Sequence, residues 1–319
     1  MRLPRRALPL LALASPSRAA EPFPARPVRI IVPFPPGGSA DISARIIGEN
    51  LAGQWGQPVV IENRPGAGTT IASAAAARAA PDGLTLYLAY NLSYAATASL
   101  YRNLPYDPAR DLVPVSAVAD APFVLAVAPG LPVTDMPGFL ALTRGTPGGL
   151  LFGSTGIGAG PHLATELLLR QGGLRAVHVP YRGTAEVIVA LVSGQVAFSL
   201  LDVAALGALR AGQVRPLALS IDHPWAYLPE VPTLAESGIA GFSISSGSCL
   251  MVPAGVPAPI LAQLNTAVVR ALAAPEVVRR FAEQGFTAEG STPEAVATQI
   301  ARDTKRFAEL IAALGLRAQ

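Results

Sequence analysis

The sequence is poor in the residues that carry covalent and metal chemistry. Its single cysteine, Cys249, excludes an intrachain disulfide, and its setting between Ser248 and Leu250 reads as core filler rather than a nucleophile. Its three histidines, His162, His178 and His223, stand at no metal-ligand spacing from one another, from the cysteine or from an acid. No metal or cofactor is therefore expected. Lys305 is the only lysine, which excludes a phosphate loop of the G-x-x-x-x-G-K type. The glycine-rich run at 153–160 is not a dinucleotide fingerprint either, because the third glycine of G-x-G-x-x-G would fall on Pro161. There is no G-x-S-x-G elbow, repeat, low-complexity tail or coiled coil, and no apolar run long enough to cross a bilayer.

What the chain has is apolar bulk. Its 319 residues are 51% hydrophobic and only 14% charged, more than one core usually supports, so two domains are expected. The basic charge is concentrated at the start. Arg2, Arg5 and Arg6, an apolar stretch at 7–14 and the small-x-small triplet Ser17-Arg18-Ala19 read as an export leader over 1–19. Without those four arginines the formal charge of +3 becomes −1, which gives no support to nucleic-acid or membrane-surface binding.

The mature chain is organised around residues 28–41, VRIIVPFPPGGSAD. Val28, Ile30, Ile31 and Val32 form a β-branched run that predicts a buried strand, stopped by Pro33, Pro35, Pro36, Gly37 and Gly38. A helix follows, capped by Ser39 or Asp41, with Ile42, Ile46, Ile47 and Leu51 along one face. Adjacent glycines let main chain approach a ligand closely, and the first N–H groups of a helix are unpartnered at its positive end. Gly37, Gly38, Ser39, Ala40 and Asp41 thus make a candidate anion cradle, with Phe34 as a candidate wall residue. The same residues also fit a tight connection that binds nothing.

Strands are predicted at 58–62 and 84–89, with a small-residue helix at 72–80 between them. This alternation implies a parallel sheet, and the loop after the third strand presents Tyr90, Asn91 and Ser93 at the edge where ligands bind in such sheets. An extended run at 115–127 then passes into a second domain. Residues 151–162, LFGSTGIGAGPH, repeat the opening design with two hydroxyls, placing Ser154, Thr155, Gly156, Gly158 and Ala159 in a second cradle before a helix from about His162. Two matching cradles in separate halves suggest a cleft between domains. Further strands are expected at 177–180, 196–201 and 216–220, with Asp202 delivered at the end of the second. The helix after the first opens at Tyr181-Arg182-Gly183-Thr184, where Tyr181 and Arg182 either line the cleft or pack the helix start. Residues 242–252 return the chain to the first domain, and two amphipathic helices, 257–273 and 293–314, complete it.

These motifs, with Glu62-Asn63-Arg64-Pro65-Gly66-Ala67-Gly68, Pro105-Tyr106-Asp107-Pro108, Pro180-Tyr181-Arg182-Gly183 and Val231-Pro232-Thr233-Leu234-Ala235-Glu236-Ser237-Gly238, run in order over nearly the whole mature chain. Together they resemble the substrate-binding proteins of tripartite tricarboxylate transporters, the Bug or TctC family. The resemblance implies an α/β, two-domain periplasmic-binding-protein (Venus flytrap, type II) fold, with the ligand in the interdomain cleft. The domains would be 20–124 with 247–319, and 125–246. It also implies periplasmic location and capture of a small organic acid by a monomer that serves a membrane permease. One ligand carboxylate would sit at Gly37, Gly38, Ser39, Ala40 and Asp41, partly through water, and the other at Ser154, Thr155, Gly156, Gly158 and Ala159. Asp202 would face a ligand amino or hydroxyl group. The chain departs from the family pattern at Ile157, Ala159, Gly160, Glu186 and Gly247, which implies a less polar second side of the pocket.

Two other functions are open to the same residues. His162, at a helix start beside Ser154 and Thr155, is the one place where a nucleophile and a base could meet in a hydrolase; the alternative is a structural or capping histidine. A periplasmic sensor presenting solute to a membrane signalling partner would need no change of site. A transcription regulator of similar architecture would carry a DNA-binding helix-turn-helix where this chain has its leader.

Overall fold

The computed structural model describes residues 23–316, so the expected leader lies outside the described residues. The β-branched run forms β1 (Val28–Val32), buried but for Arg29, and the proline-glycine turn leads into α1 (Ser39–Trp55). There follow β2 (Val59–Asn63), α2 (Thr70–Ala77), β3 (Thr85–Tyr90), α3 (Asn91–Leu100) and β4 (Leu112–Asp120). The second half of the fold contains β5 (Val124–Val127), α4 (Met136–Gly145), β6 (Leu150–Ser154), α5 (Gly160–Gly172), β7 (Ala176–Pro180), α6 (Thr184–Val192), β8 (Phe198–Leu201), α7 (Leu206–Arg210) and β9 (Arg215–Leu219). The chain ends with β10 (Ser248–Pro253), α8 (Ala258–Ala273), α9 (Pro275–Glu283), β11 (Thr287–Ala288) and α10 (Pro293–Leu314).

The strands form two sheets, one of order β11-β4-β10-β3-β1-β2 and one of order β7-β6-β8-β5-β9. Each has a parallel centre reached through crossover helices: β1 between β2 and β3, and β6 between β7 and β8. The sheets are mixed rather than all-parallel as expected. β10 runs antiparallel to β3 and β4, and β5 antiparallel to β8 and β9. These strands adjoin the segments where the chain crosses between sheets, and antiparallel partners need no crossover helix.

The two crossings are tied to each other. The Ser246 amide donates to the Ala121 carbonyl at 2.7 Å. Fully buried Ser220 accepts the Phe123 amide on its Oγ at 2.8 Å and donates to the Ile244 carbonyl at 2.6 Å.

Three local expectations are corrected. The N-cap of α1 is Gly38 rather than Ser39 or Asp41, and Asp41 instead reaches back to the Gly37 amide. Asn91 and Ser93 are not in a loop but in the first turn of α3. The C-terminal region has three helices, because Pro275 forces Ala274 into an extended conformation and begins α9.

Candidate functional site

A cavity of about 400 Å³ lies between the sheets. Four helices begin on it. Gly38, Ser39 and Ala40 open α1, Tyr90 and Ser93 belong to the start of α3, Ala159, Gly160 and Pro161 open α5, and Gly183, Thr184 and Ala185 open α6. Helix N-termini present unpartnered N–H groups and the positive end of the dipole, so their convergence favours an anion with little help from cationic side chains.

At the first rim, Gly37 turns the chain with φ +81°, and its amide donates to Asp41 Oδ2 at 3.0 Å. Asp41 also accepts from Asn63 Nδ2 at 3.0 Å and from Nε and Nη2 of Arg45 at 2.9 and 3.0 Å. Burial alone would raise the pKa of this carboxyl. The bonds from Arg45, Gly37 and Asn63, with the charge of Arg45, overcome that and hold it below the ordinary carboxylate range. Asp41 is thus a buried anion behind the loop. The amides of Gly38, Ser39 and Ala40 have no acceptor among the described residues. Tyr90 packs edge-on to Phe34, with ring centroids 5.3 Å apart, and its hydroxyl is 3.5 Å from Ser39 Oγ. Burial pushes its pKa upward, so it faces the cleft as a neutral donor.

At the second rim, Ser154 is fully buried, with its Oγ 2.6 Å from His178 Nε2. The same oxygen accepts the Gly156 amide at 3.2 Å. The Gly158 amide donates to His162 Nδ1 at 3.1 Å, and the Ala159 amide to the Gly156 carbonyl at 3.2 Å. Gly158 lies at φ +78°, and a Cβ there would fall 2.5 Å from Leu100 Cδ1, so any other residue would be strained and would displace Leu100. The His162 and His178 rings stack 4.0 Å apart. Burial, with His178 adding to it, lowers the pKa of His162 to about 3, and burial lowers that of His178 to about 4. Both imidazoles are neutral at physiological pH. The amides of Thr155 and Gly160 have no acceptor among the described residues.

The hydrolase arrangement is not assembled. Ser154 Oγ meets His178 rather than His162 and is buried behind the loop, while His162 spends Nδ1 on a backbone amide. Cys249 is likewise buried, its thiol pushed up to about 12 by desolvation.

Asp202 lies on the wall, its Oδ1 accepting from Thr184 Oγ1 at 2.9 Å and from the Ala204 amide at 3.1 Å. Burial outweighs those bonds and raises its pKa. Arg182 is the one cationic side chain on the cavity wall among the described residues; its backbone amide donates to Glu186 Oε2 at 3.1 Å, while its guanidinium has no acceptor among them.

Of the residues singled out from sequence, Phe34, Gly37, Gly38, Ser39, Ala40, Tyr90, Thr155, Ala159 and Asp202 line this cavity. Asp41, Ser154, Gly158 and His162 support it from behind, and Gly156 lines an adjoining chamber. Asn91 is buried at the start of α3, its amide bonded to the Gly247 carbonyl and its side chain turned to another face. Tyr181 is off the wall, while its neighbour Arg182 is on it. Phe123, Thr184 and Ile188 were missed. The run Pro180-Tyr181-Arg182-Gly183 ahead of a helix repeats the strand-stop-glycine design of the two rims, and that signal could have found Thr184.

Residues 43–316 match the family model of the tripartite tricarboxylate transporter family receptor, TctC. Protein BugT of Bordetella pertussis is 37% identical over 301 residues, which cover 94% of this chain and 92% of that protein. Among solved structures, R. palustris Rpa4515 with adipate aligns at a TM-score of 0.86 with 32% identity, over 92% of this chain and 99% of its own. MatC (Rpa3494) from Rhodopseudomonas palustris with bound malate aligns at 0.82 with 33% identity, over 91% of this chain and 100% of its own. The matched proteins are solute-binding receptors, not enzymes, and share the two-domain, type II periplasmic-binding-protein fold, the Venus flytrap. The chain belongs to the tripartite tricarboxylate transporter receptor family, the Bug or TctC proteins of the periplasm.

Proposed function

We propose that this protein captures a small organic acid between its lobes and presents the loaded form to the permease of a tripartite tricarboxylate transporter. The observation that carries the proposal is the meeting of helix N-termini from both lobes on one cleft with a single cationic side chain. The amides of Gly38, Ser39 and Ala40 hold one carboxylate and those of Thr155 and Gly160 another, while Asp202 faces a hydroxyl or amino group of the ligand. Each charge-assisted bond contributes about 1.5–3 kcal/mol, and a few of them, offset by ordering and closure, give affinity of about micromolar. Residues 20–124 with 247–319 form one lobe and 125–246 the other, moving about the tied crossings near Ser220 as a hinge. The leader at 1–19 directs export, and the receptor works as a monomer.

A thermal-shift screen of organic acids beside their uncharged amides tests this reading. A ligand that binds the native state raises the melting temperature by mass action, so acids are expected to raise it and the matched amides to leave it unchanged. Equal response to both, or to neither at millimolar concentration, contradicts the proposal.

A further inference from the structure

Beside the cleft lies a second chamber of about 430 Å³. It shares Phe34, Pro35, Ser93, Thr155, Ala159 and Arg182 with the first, so the two form one continuous space with Arg182 at the junction. Its own wall is residues 65–69 from the first lobe, facing Gly156 and Ile157 from the second. Ile157 is a large apolar side chain left 42% exposed at this wall. Pro33, Pro65 and Ala67 add further apolar surface.

The wall has a fixed shape. Gly66, Ala67, Gly68 and Thr69 take φ values of +124°, +45°, +55° and +79°, a run in which two non-glycine residues occupy a conformation that L-residues rarely adopt. The Thr69 amide bonded to the Gly66 carbonyl at 3.1 Å and Thr70 Oγ1 bonded to the Ala67 carbonyl at 2.8 Å keep it so. A Cβ on Gly68 would lie 2.4 Å from the Tyr101 hydroxyl, which closes the wall from behind. The space is therefore preformed, apolar and open to the amide cradle, the pattern of a pocket for an apolar body with a polar head.

We infer that this annex holds the apolar body of the ligand, so that the receptor prefers a medium-chain or aryl acid to a compact four-carbon diacid. The inference rests on the carboxylate-receptor reading and adds the ligand's length and polarity to it. The head binds at the amides of the cleft, and the carbon chain passes Arg182 to lie between the 65–69 wall and Ile157. Each methylene moved from water into the annex strengthens binding about fourfold.

Calorimetric titration of the whole protein with linear monoacids from butyrate to octanoate, with succinate as the compact diacid, repeated on Ile157→Asn, tests the inference. Octanoate is expected to bind at least tenfold tighter than butyrate and tighter than succinate. Ile157→Asn is expected to weaken octanoate about tenfold and succinate less than twofold, because the substitution is at an exposed site and touches the annex alone. If octanoate binds no tighter than butyrate, or if Ile157→Asn weakens octanoate and succinate equally, the annex is overturned while the carboxylate reading stands. If neither the monoacids nor succinate bind, the carboxylate reading falls and takes the annex with it.

Discussion

At the first rim of the cleft an ionised carboxylate stands behind the loop, where Asp41 takes the Gly37 amide, the Asn63 amide and both arms of Arg45. At the second rim the matching place is filled by neutral rings: His162 takes the Gly158 amide, and His178, stacked on it, holds the Ser154 hydroxyl. Both rims use some of their own amides to aim the rest, which answers how a glycine-rich loop keeps a fixed shape without its ligand. They differ in what acid does to them. The Asp41 carboxyl lies below its ordinary range, so it contributes stability that persists above that range and is lost only as pH falls through its lowered folded value. The imidazoles lie below theirs, so their contribution is complete above about pH 6.5 and is lost as pH falls from there toward about 4 and 3. The second rim gives way first.

The largest break in that contrast is Asp41→Ala. It strips the Gly37 amide, the Asn63 side chain and Arg45 of their common acceptor, and is expected to cost about 2–4 kcal/mol in urea unfolding and at least tenfold in acid binding. On the other rim, His162→Ala leaves the Gly158 amide unpaired and removes a stacked ring. About 2 kcal/mol of stability is expected to be lost, again by urea unfolding, with binding weakened through the α5 side only.

Titration sharpens the comparison without disturbing the wild-type fold at neutral pH. Unfolding free energy should fall by up to about 1.4 kcal/mol per pH unit for each of His162 and His178 between pH 6.5 and 4, because the unfolded state then binds protons that the native state refuses. Protonated Nδ1 of His162 can no longer accept from Gly158. His178→Gln should flatten that slope, and an unchanged slope would place the acid sensitivity elsewhere. The smallest effect on the fold is expected from Gly38→Val. A Cβ there would lie 3.6 Å from the Pro35 carbonyl, an ordinary contact, and φ is −80°. Stability should change by less than about 1 kcal/mol while acid binding falls at least tenfold by calorimetry, because the new side chain stands where the ligand approaches main chain.

The contrast between the rims also marks what could be read from the chain alone. The β1 run, its proline-glycine stop and the same design at 151–162 are local patterns, and they pointed to both candidate rims. Which amides are already taken is not local. It depends on Asn63 arriving from β2 and on His178 arriving from β7, partners that only the sheet registers Val32↔Asn63 and Phe152↔His178 bring near. Tyr181 and Arg182, expected to share one place, are parted for a similar reason: the Tyr181 amide bonds to the Ser154 carbonyl, which continues the β6–β7 pairing and leaves Arg182 to face the cleft. The start of α3 was hidden because Tyr90 offers no side-chain cap and Asn91 follows a strand without a break.

The most direct test of the double amide cradle is amide NMR of the ¹⁵N-labelled protein titrated with a linear diacid. The account predicts that the resonances of Gly38 and Ser39 from one rim and of Thr155 and Gly160 from the other move downfield together and saturate at one ligand per chain, while Gly37 and Gly158 hold still. Movement of Gly37 and Gly158, or movement confined to one rim, would contradict it.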